Sequence, residues 1–437
     1  MRDIPNGRAR RPFRAANPAP RATGRSADAL GRVAPEMTRT WKANASGDWK
    51  TESNWEPAGI PGAGDELIVT SGTVTFSNAL TAASLAVSGG TVKIGAVGNV
   101  NAQVKAGDMA LSGGTVELGY GSTWSWVGGV PYMEPNTPGH ALFAVSGNLA
   151  MSGAAKLALH AGPVTEAHTF ATGCASLEVG GALTMDGTSQ LLPYGDYMTG
   201  GSVKITAGTV SVGETAKIDA RGKGFNWLDG TTPPNAPGTG FSYNVGGSHG
   251  GHGGENTAES VYDFAWAPVM PGSPNGVYNN GERAGGGVIR IHAHSIRVNG
   301  TLDAQAEATS AYGGAAGGSI WLTSNQFNFG PNASLTVKGA GSNYSSRGGG
   351  GIIAVGWCLK QANLDELAAT GTWSGFRERR VMDEAAFRTL LGNGTMTIDV
   401  SFGKTREELP DDPMVERGYG SFTFIDGRNS GLVIFLK

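Results

Sequence analysis

Three stretches of this chain repeat one another, and that repetition limits the fold more than any other feature. GGSVKITAGTVSVGETAKIDARG begins at Gly200, GGGVIRIHAHSIRVNGTLDAQA at Gly285, and GGSIWLTSNQFNFGPNASLTVKGAG at Gly317. A fourth copy, GGGGIIAVGW, starts at Gly348 and is cut short. Each copy reads glycines, an alternating run, a two-residue corner, a second run, a turn and a third run. Alternation with period two puts successive side chains on opposite faces of a strand. A copy therefore carries an apolar face that it cannot bury alone, and stacking copy on copy buries it.

The alternation assigns faces. Val203, Ile205 and Ala207 align with Ile289, Ile291 and Ala293, and with Ile320, Leu322 and Ser324; their phase points inward. Val210 and Val212 fall over Ile296 and Val298, then Phe327 and Phe329. Ile218 and Ala220 fall over Leu302 and Ala304, then Leu335 and Val337. Weaker copies precede these: LAVSGGTVKIG from Leu85, MALSGGTVELG from Met109, VSGNLAMSGAAKLAL from Val145 and EVGGALTMDGTSQLL from Glu178. The expected fold is all-β, a right-handed parallel β-helix over residues 41–357. Glycine, with 71 of 437 residues, is expected to supply the corners that need positive φ. Gly/Pro/Asn-rich insertions interrupt the repeat at 221–285 and 119–140, where the composition opposes regular structure. Residues 358–437 change character. Helical spacing over Ala362–Ala369 and Met382–Leu391, with strand-like runs at Met396–Phe402, Ser421–Ile425 and Leu432–Leu436, predicts a small α+β cap that closes the solenoid end.

Residues 1–40 carry nine arginines among few large apolar residues, a composition expected to stay disordered. Arg10-Arg11-Pro12-Phe13 resembles a twin-arginine export signal, but no apolar run follows it, so no signal peptide is read there. No run of ~18 apolar residues predicts a membrane span. A net charge of −3 gives no general attraction to nucleic acid. Cys174 and Cys358 lack metal or redox spacing and read as free buried thiols, with a single long-range disulfide as the alternative.

The elements GGSHGGHGG, GGGVIRI, NGTLDAQ, GGSIWL and GGGGIIAV over Gly246–Val355 resemble glycine-rich parallel β-helix repeats of bacterial surface and secreted proteins. The opening WKANASGDWKTESNWEPAGIPGAGDELIV, from Trp41, is similar to segments that begin coils in autotransporter-like passengers. The resemblance implies an extracellular or cell-envelope β-helix and specifies no activity.

Candidate chemistry is sparse. Lys204, Arg290 and Trp321 occupy equivalent outward positions, and a column of two cations and an indole can stack on sugars and pair with acidic groups. These are the candidate glycan contacts. His249, His252, His292 and His294 lie close in sequence, and His-x-His on one strand is a metal geometry, so they are the candidate metal ligands. Asp219 and Asp303 align outward on the third strand. A lyase would need such carboxylates around a cation, with a base to take a proton α to a uronate. The enzyme alternative turns on three or more of Asp186, Asp196, Asp219, Asp229 and Asp303 meeting at a cleft with a Lys or Arg. Gly251-His252-Gly253 matches one element of polygalacturonases, but the upstream paired carboxylates that hydrolysis requires are missing. Trp41, Trp49 and Trp55 are expected to plug the open first coil. The function expected is a non-enzymatic, secreted or cell-surface structural or adhesive module that contacts extracellular polysaccharide or a cell-surface glycan. It needs no cofactor, nucleic acid or membrane insertion. The alternative is a polysaccharide-active enzyme, lyase before hydrolase.

Overall fold

The computed structural model describes residues 36–426 apart from 78, 96–101, 120–123, 128–129, 134–139, 228–233, 240–244, 255–260, 277–283, 308–312, 342–345, 360–361, 363–365, 367–380, 383, 392–394 and 403–418. Of the Arg-rich segment 1–40, residues 1–35 lie outside the described residues, as do the run at Leu432–Leu436 and most of the helix expected at Ala362–Ala369. The last residues of the Arg-rich segment are a correction to the expected disorder: Thr38–Trp41 is a strand paired with Glu66–Val69, and Arg39 bridges Asp65.

The chain is nearly all-β. Two long sheets, of 14 and 10 strands, contain almost every strand. From Thr38–Trp41 onward the chain visits them in alternation, and each return lays a new strand beside the previous one. All pairings in the smaller sheet are parallel. In the larger sheet only the two ends are antiparallel: Trp55–Glu56 closes one edge and Val381–Met382 the other. Short antiparallel edge strands of this kind blunt a sheet that would otherwise offer free backbone groups to another chain. A separate antiparallel hairpin, Trp124–Val127 with Val130–Met133, occupies the shorter insertion.

Register follows the sequence alignment. Ile205 pairs with Ile291, and Ile291 with Leu322. Ile218 pairs with Leu302, and Leu302 with Leu335. All six side chains are fully buried. One core runs the length of both sheets, from Trp41 and Trp55 to Phe424. The first two runs of each copy merge into one long strand, such as Val203–Val212 or Val288–Val298, that bends at the corner. Ala207 and Ala293 sit at that bend and are only half-buried, a correction to their expected core position. At the N-terminal end Trp41 and Trp55 meet edge to face at 4.9 Å, and each indole N–H donates to a nearby carbonyl. Trp49 stacks on Phe76.

The segment after Cys358 extends both sheets. Thr397–Asp399 lies parallel to Ser334–Thr336, and Ser421–Asp426 parallel to Ile352–Trp357. The helix Glu384–Leu390 inserts Phe387 against Phe424 and Phe329. The helix expected at Met382–Leu391 and the strands expected at Met396–Phe402 and Ser421–Ile425 are there, and the two strands continue the stack in place of forming a layer of their own.

The glycines serve two ends. Gly90 and Gly114 turn the chain between sheets with φ of 73° and 69°, as expected for corners. In the later copies the reason differs. Gly317 and Gly246 have ordinary φ, yet a Cβ on them would overlap the carbonyl oxygens of Val337 and Arg347. The insertion at 221–285 has no helix or strand among its described residues, but it is fastened by backbone bonds between glycines, as in Gly247 N–H to Gly314 C=O and Gly251 N–H to Gly350 C=O.

Two substitutions separate these contributions. Ile291→Ala should cost about 2–5 kcal/mol in urea denaturation, as a cavity in a shared ladder. Gly317→Ala should cost about 1–3 kcal/mol, because backbone must move to admit one methyl. A Gly317→Ala chain as stable as the parent would contradict the close backbone packing.

Candidate functional site

Stacking in register places equivalent residues of successive copies side by side, so each outward position becomes a column. Lys204 pairs with Arg290, and Arg290 with Trp321, as the alignment predicts. The column is not exposed. Trp321 is 0% and Arg290 2% exposed, while Lys204 is half-buried. Ala267 and Val269 of the long insertion cover Trp321, with Phe170, Ala171 and Met270 packed around them. The Arg290 guanidinium lies 4.9 Å over the Trp321 ring. It donates from Nη1 to the Phe170 carbonyl at 3.0 Å and from Nε to His292 Nε2 at 2.9 Å. The exposure that glycan contact would require is therefore missing at Arg290 and Trp321; they anchor two loops to the sheet.

The four histidines are not brought together. His249 is buried in the insertion, where Nδ1 donates to the Gly317 carbonyl at 2.8 Å and Nε2 lies 3.6 Å from Asp263 Oδ2. That carboxylate accepts from the Val269 and Met270 N–H groups. His252 is half-buried elsewhere in the same segment. His292 is buried and accepts from Arg290, so its Nδ1 carries the proton toward Thr323 Oγ1. Burial, then the Arg290 and Lys204 charges, hold its pKa well below 6.5. His294 is exposed and touches Asn325, with Nδ1 at 3.3 Å. The expectation that both point outward on one strand meets the bend between them. Among the described residues, no three His, Cys, Asp or Glu side chains are grouped to hold a metal ion. Both cysteines are free. Burial pushes the Cys174 thiol up to about 12, while Cys358 is half-buried.

The aspartate column has a structural explanation. Asp219 pairs with Asp303, Asp303 with Thr336, and Thr336 with Asp399. Each aspartate accepts the N–H two residues on, from Arg221, Gln305 and Ser401, at 2.9–3.0 Å. These Asx turns end the third strand of each copy. Lys217 bridges Asp303 at 2.8 Å and Asp219 at 3.1 Å, filling the place a cation would take. Burial acts to lower the Lys217 pKa, but Asp303 and Asp219 outweigh it and hold it above its ordinary value. Asp196 is tied to Thr199, Asp186 is exposed at a turn, and Asp229 lies outside the described residues. The aligned copies did not include Lys223, Tyr194 and His160, which continue the cluster to Glu117: Lys223 Nζ is 5.0 Å over the Tyr194 ring, His160 stacks on Tyr194, and His160 Nε2 lies 3.4 Å from Glu117. Burial depresses the Lys223 pKa, against the pull of Asp219. Position Lys217, two before Asp219 and so on the same face, was the available signal.

A surface cleft is the remaining feature. The column from Thr81 through Lys105, Glu178, Thr206 and His292 to Thr323 follows the bend of the long strands. Two hollows of about 640 Å³ and 630 Å³ lie along it and share Thr206.

Together these features define a nearly all-β protein of long parallel sheets with a cleft along one bend. No protein-family model matches the chain, and neither a curated protein nor a solved structure does. No helix among the described residues is long and apolar enough to cross a membrane.

Two pH responses follow. The lowered His292 pKa means that the unfolded chain binds a proton that the folded one resists. Its contribution is full above 6.5 and is lost as pH falls toward the folded value. Thermal melting should show stability dropping below that point, and His292→Gln should remove that component. For Asp219, burial acts to raise the pKa, and Lys223, the Arg221 N–H and Lys217 more than offset it. Asp219→Asn should therefore cost about 1 kcal/mol at neutral pH. The gap should close as pH falls below 3.8, through the lowered folded pKa. A pH-independent gap would rule out the charge-based account.

Proposed function

We propose that this chain is a right-handed parallel β-helix serving as a secreted or cell-surface structural or adhesive module. The alternation between two sheets carries this reading. Each return lays the next strand parallel and in register, from Thr38–Trp41 to Ser421–Asp426. A chain that winds in this way is a helix of strands, and parallel crossovers within one sheet are right-handed in about 98% of cases. At ~4.8 Å per strand, the parallel members of the larger sheet span about 50 Å. Such a body is suited to spacing or display.

The outer face supports the same reading. Charged residues make up 16% of the chain, and several of the aligned ones are engaged with each other or with the backbone. Arg290 holds loops, the aspartates end strands, and Lys217 ties two coils together. The likeness of the glycine-rich copies to surface-protein repeats supports an extracellular or envelope location, with polysaccharide or cell-surface glycan as the partner.

Scattering and localisation test the two halves of the proposal separately. Small-angle X-ray scattering on the full chain should give a rod-like profile, longer than a sphere of equal mass. Protease treatment of intact source cells should release fragments of it. A sphere-like profile would refute the β-helix, and full protection in intact cells with cytoplasmic fractionation would refute the surface role.

A further inference from the structure

The two hollows that share Thr206 form one continuous cleft. It begins at Thr81 on Ala79–Val87 and ends beside Leu359, just beyond Ile352–Trp357. Seven successive parallel strands of the larger sheet line it, from Ala79–Val87 to Ser319–Phe329. At ~4.8 Å per strand that is a track of about 30 Å, far longer than a small molecule needs. We propose that this cleft binds a linear, uncharged polysaccharide lying along the stack of strands. The inference rests on the reading of the chain as a surface module and names the ligand class and the place where it binds.

The shape selects a linear polymer, and the chemistry selects its class. A peptide is recognised along a sheet through free backbone groups at an edge. Here the floor is the middle of the sheet, where ladder bonds to both neighbours engage the backbone. Any partner must be read by side chains. Buried Val145 and Val179 lie in the floor and half-buried Leu359 at one end, and many of the other lining residues are small or bear hydroxyl, amide or imidazole groups, among them Thr81, Thr206, Asn325 and His294. Such groups both donate and accept, which matches the hydroxyls of a sugar chain. The charged lining is one cation, Lys105, and one anion, Glu178, two strands apart. A polyanion such as a nucleic acid or an acidic glycan needs an excess of cations along its track, and this cleft has none among the described residues. His292 adds no charge at neutral pH, since burial keeps it unprotonated. The bend also repeats once per strand, so equivalent contacts recur at a spacing close to that of extended sugar residues.

Isothermal titration of the full chain against neutral oligosaccharide ladders (β-linked glucan, mannan and xylan, disaccharide to octasaccharide) tests this, with oligogalacturonate and heparin as acidic controls. At least one neutral ladder should bind, with affinity rising about tenfold or more with length. Binding should change less than roughly twofold on adding salt, since no net charge is screened. Thr206→Trp places a large ring at the junction of the hollows and should cut affinity at least tenfold, about 1.4 kcal/mol. Asn325→Ala, at an exposed position, should weaken it less, and Glu214→Ala, outside the cleft, should leave it unchanged. Circular dichroism and melting confirm that each variant folds. No binding by any neutral ladder, salt-sensitive binding of the acidic controls alone, or full binding by folded Thr206→Trp would each overturn the assignment. If the chain is still rod-like and surface-exposed in that case, the cleft assignment fails and the reading as a surface module stands.

Discussion

Two parallel strands hydrogen-bonded in register set residue i of one copy over its counterpart in the next, and nearly every feature of this molecule follows from that constraint. Ile205, Ile291 and Leu322 form a ladder because each sits at the same phase of an alternating run. The same geometry sets Asp219 over Asp303 on the outer face, and Lys204 over Arg290. A slip of one residue would turn each apolar set outward. The apolar alternation therefore specifies the register strongly, and the outer columns come with it.

Glycine allows the register to coexist with long insertions. Where Gly246, Gly247, Gly250 and Gly251 meet Arg347, Gly314 and Gly349–Gly351, backbone packs on backbone. Hydrogen bonds between these segments replace those a sheet would supply, which meets the need of buried peptide groups for partners. The insertion can thus lie flat on the outer face and bury Trp321 without forming a strand. The cost is specificity of residue type: a single methyl at Gly317 has no room.

Much of what resembles chemistry on the outer face is structural. The aspartates accept turn N–H groups, Lys217 neutralises two of them, and Arg290 holds the Phe170 carbonyl while stacking on Trp321. Each is a polar group brought close to its like by stacking and then satisfied locally. The cleft differs in kind: it arises from the bend of the strands, where Ala207 and Ala293 are too small to fill the corner.

Alternation and glycine spacing alone determined the all-β class, the parallel register of the copies, the inward ladders and the insertion boundaries. They could do so because strand periodicity is local and each copy repeats it. The burial of Trp41 and Trp55 at the N-terminal edge was also legible, since large aromatics bury much area where the first strand of a stack has no predecessor. Which outward residues reach solvent was not legible. The exposure of Trp321 depended on where residues 264–270 and 170–171 come to rest, and no periodicity encodes the path of a loop. The separation of His292 from His294 depended on a bend between them, and the cleft on such bends falling in line from strand to strand. Contacts between segments far apart in sequence are made only when the chain has folded, so the tertiary structure alone decided which surface was left open.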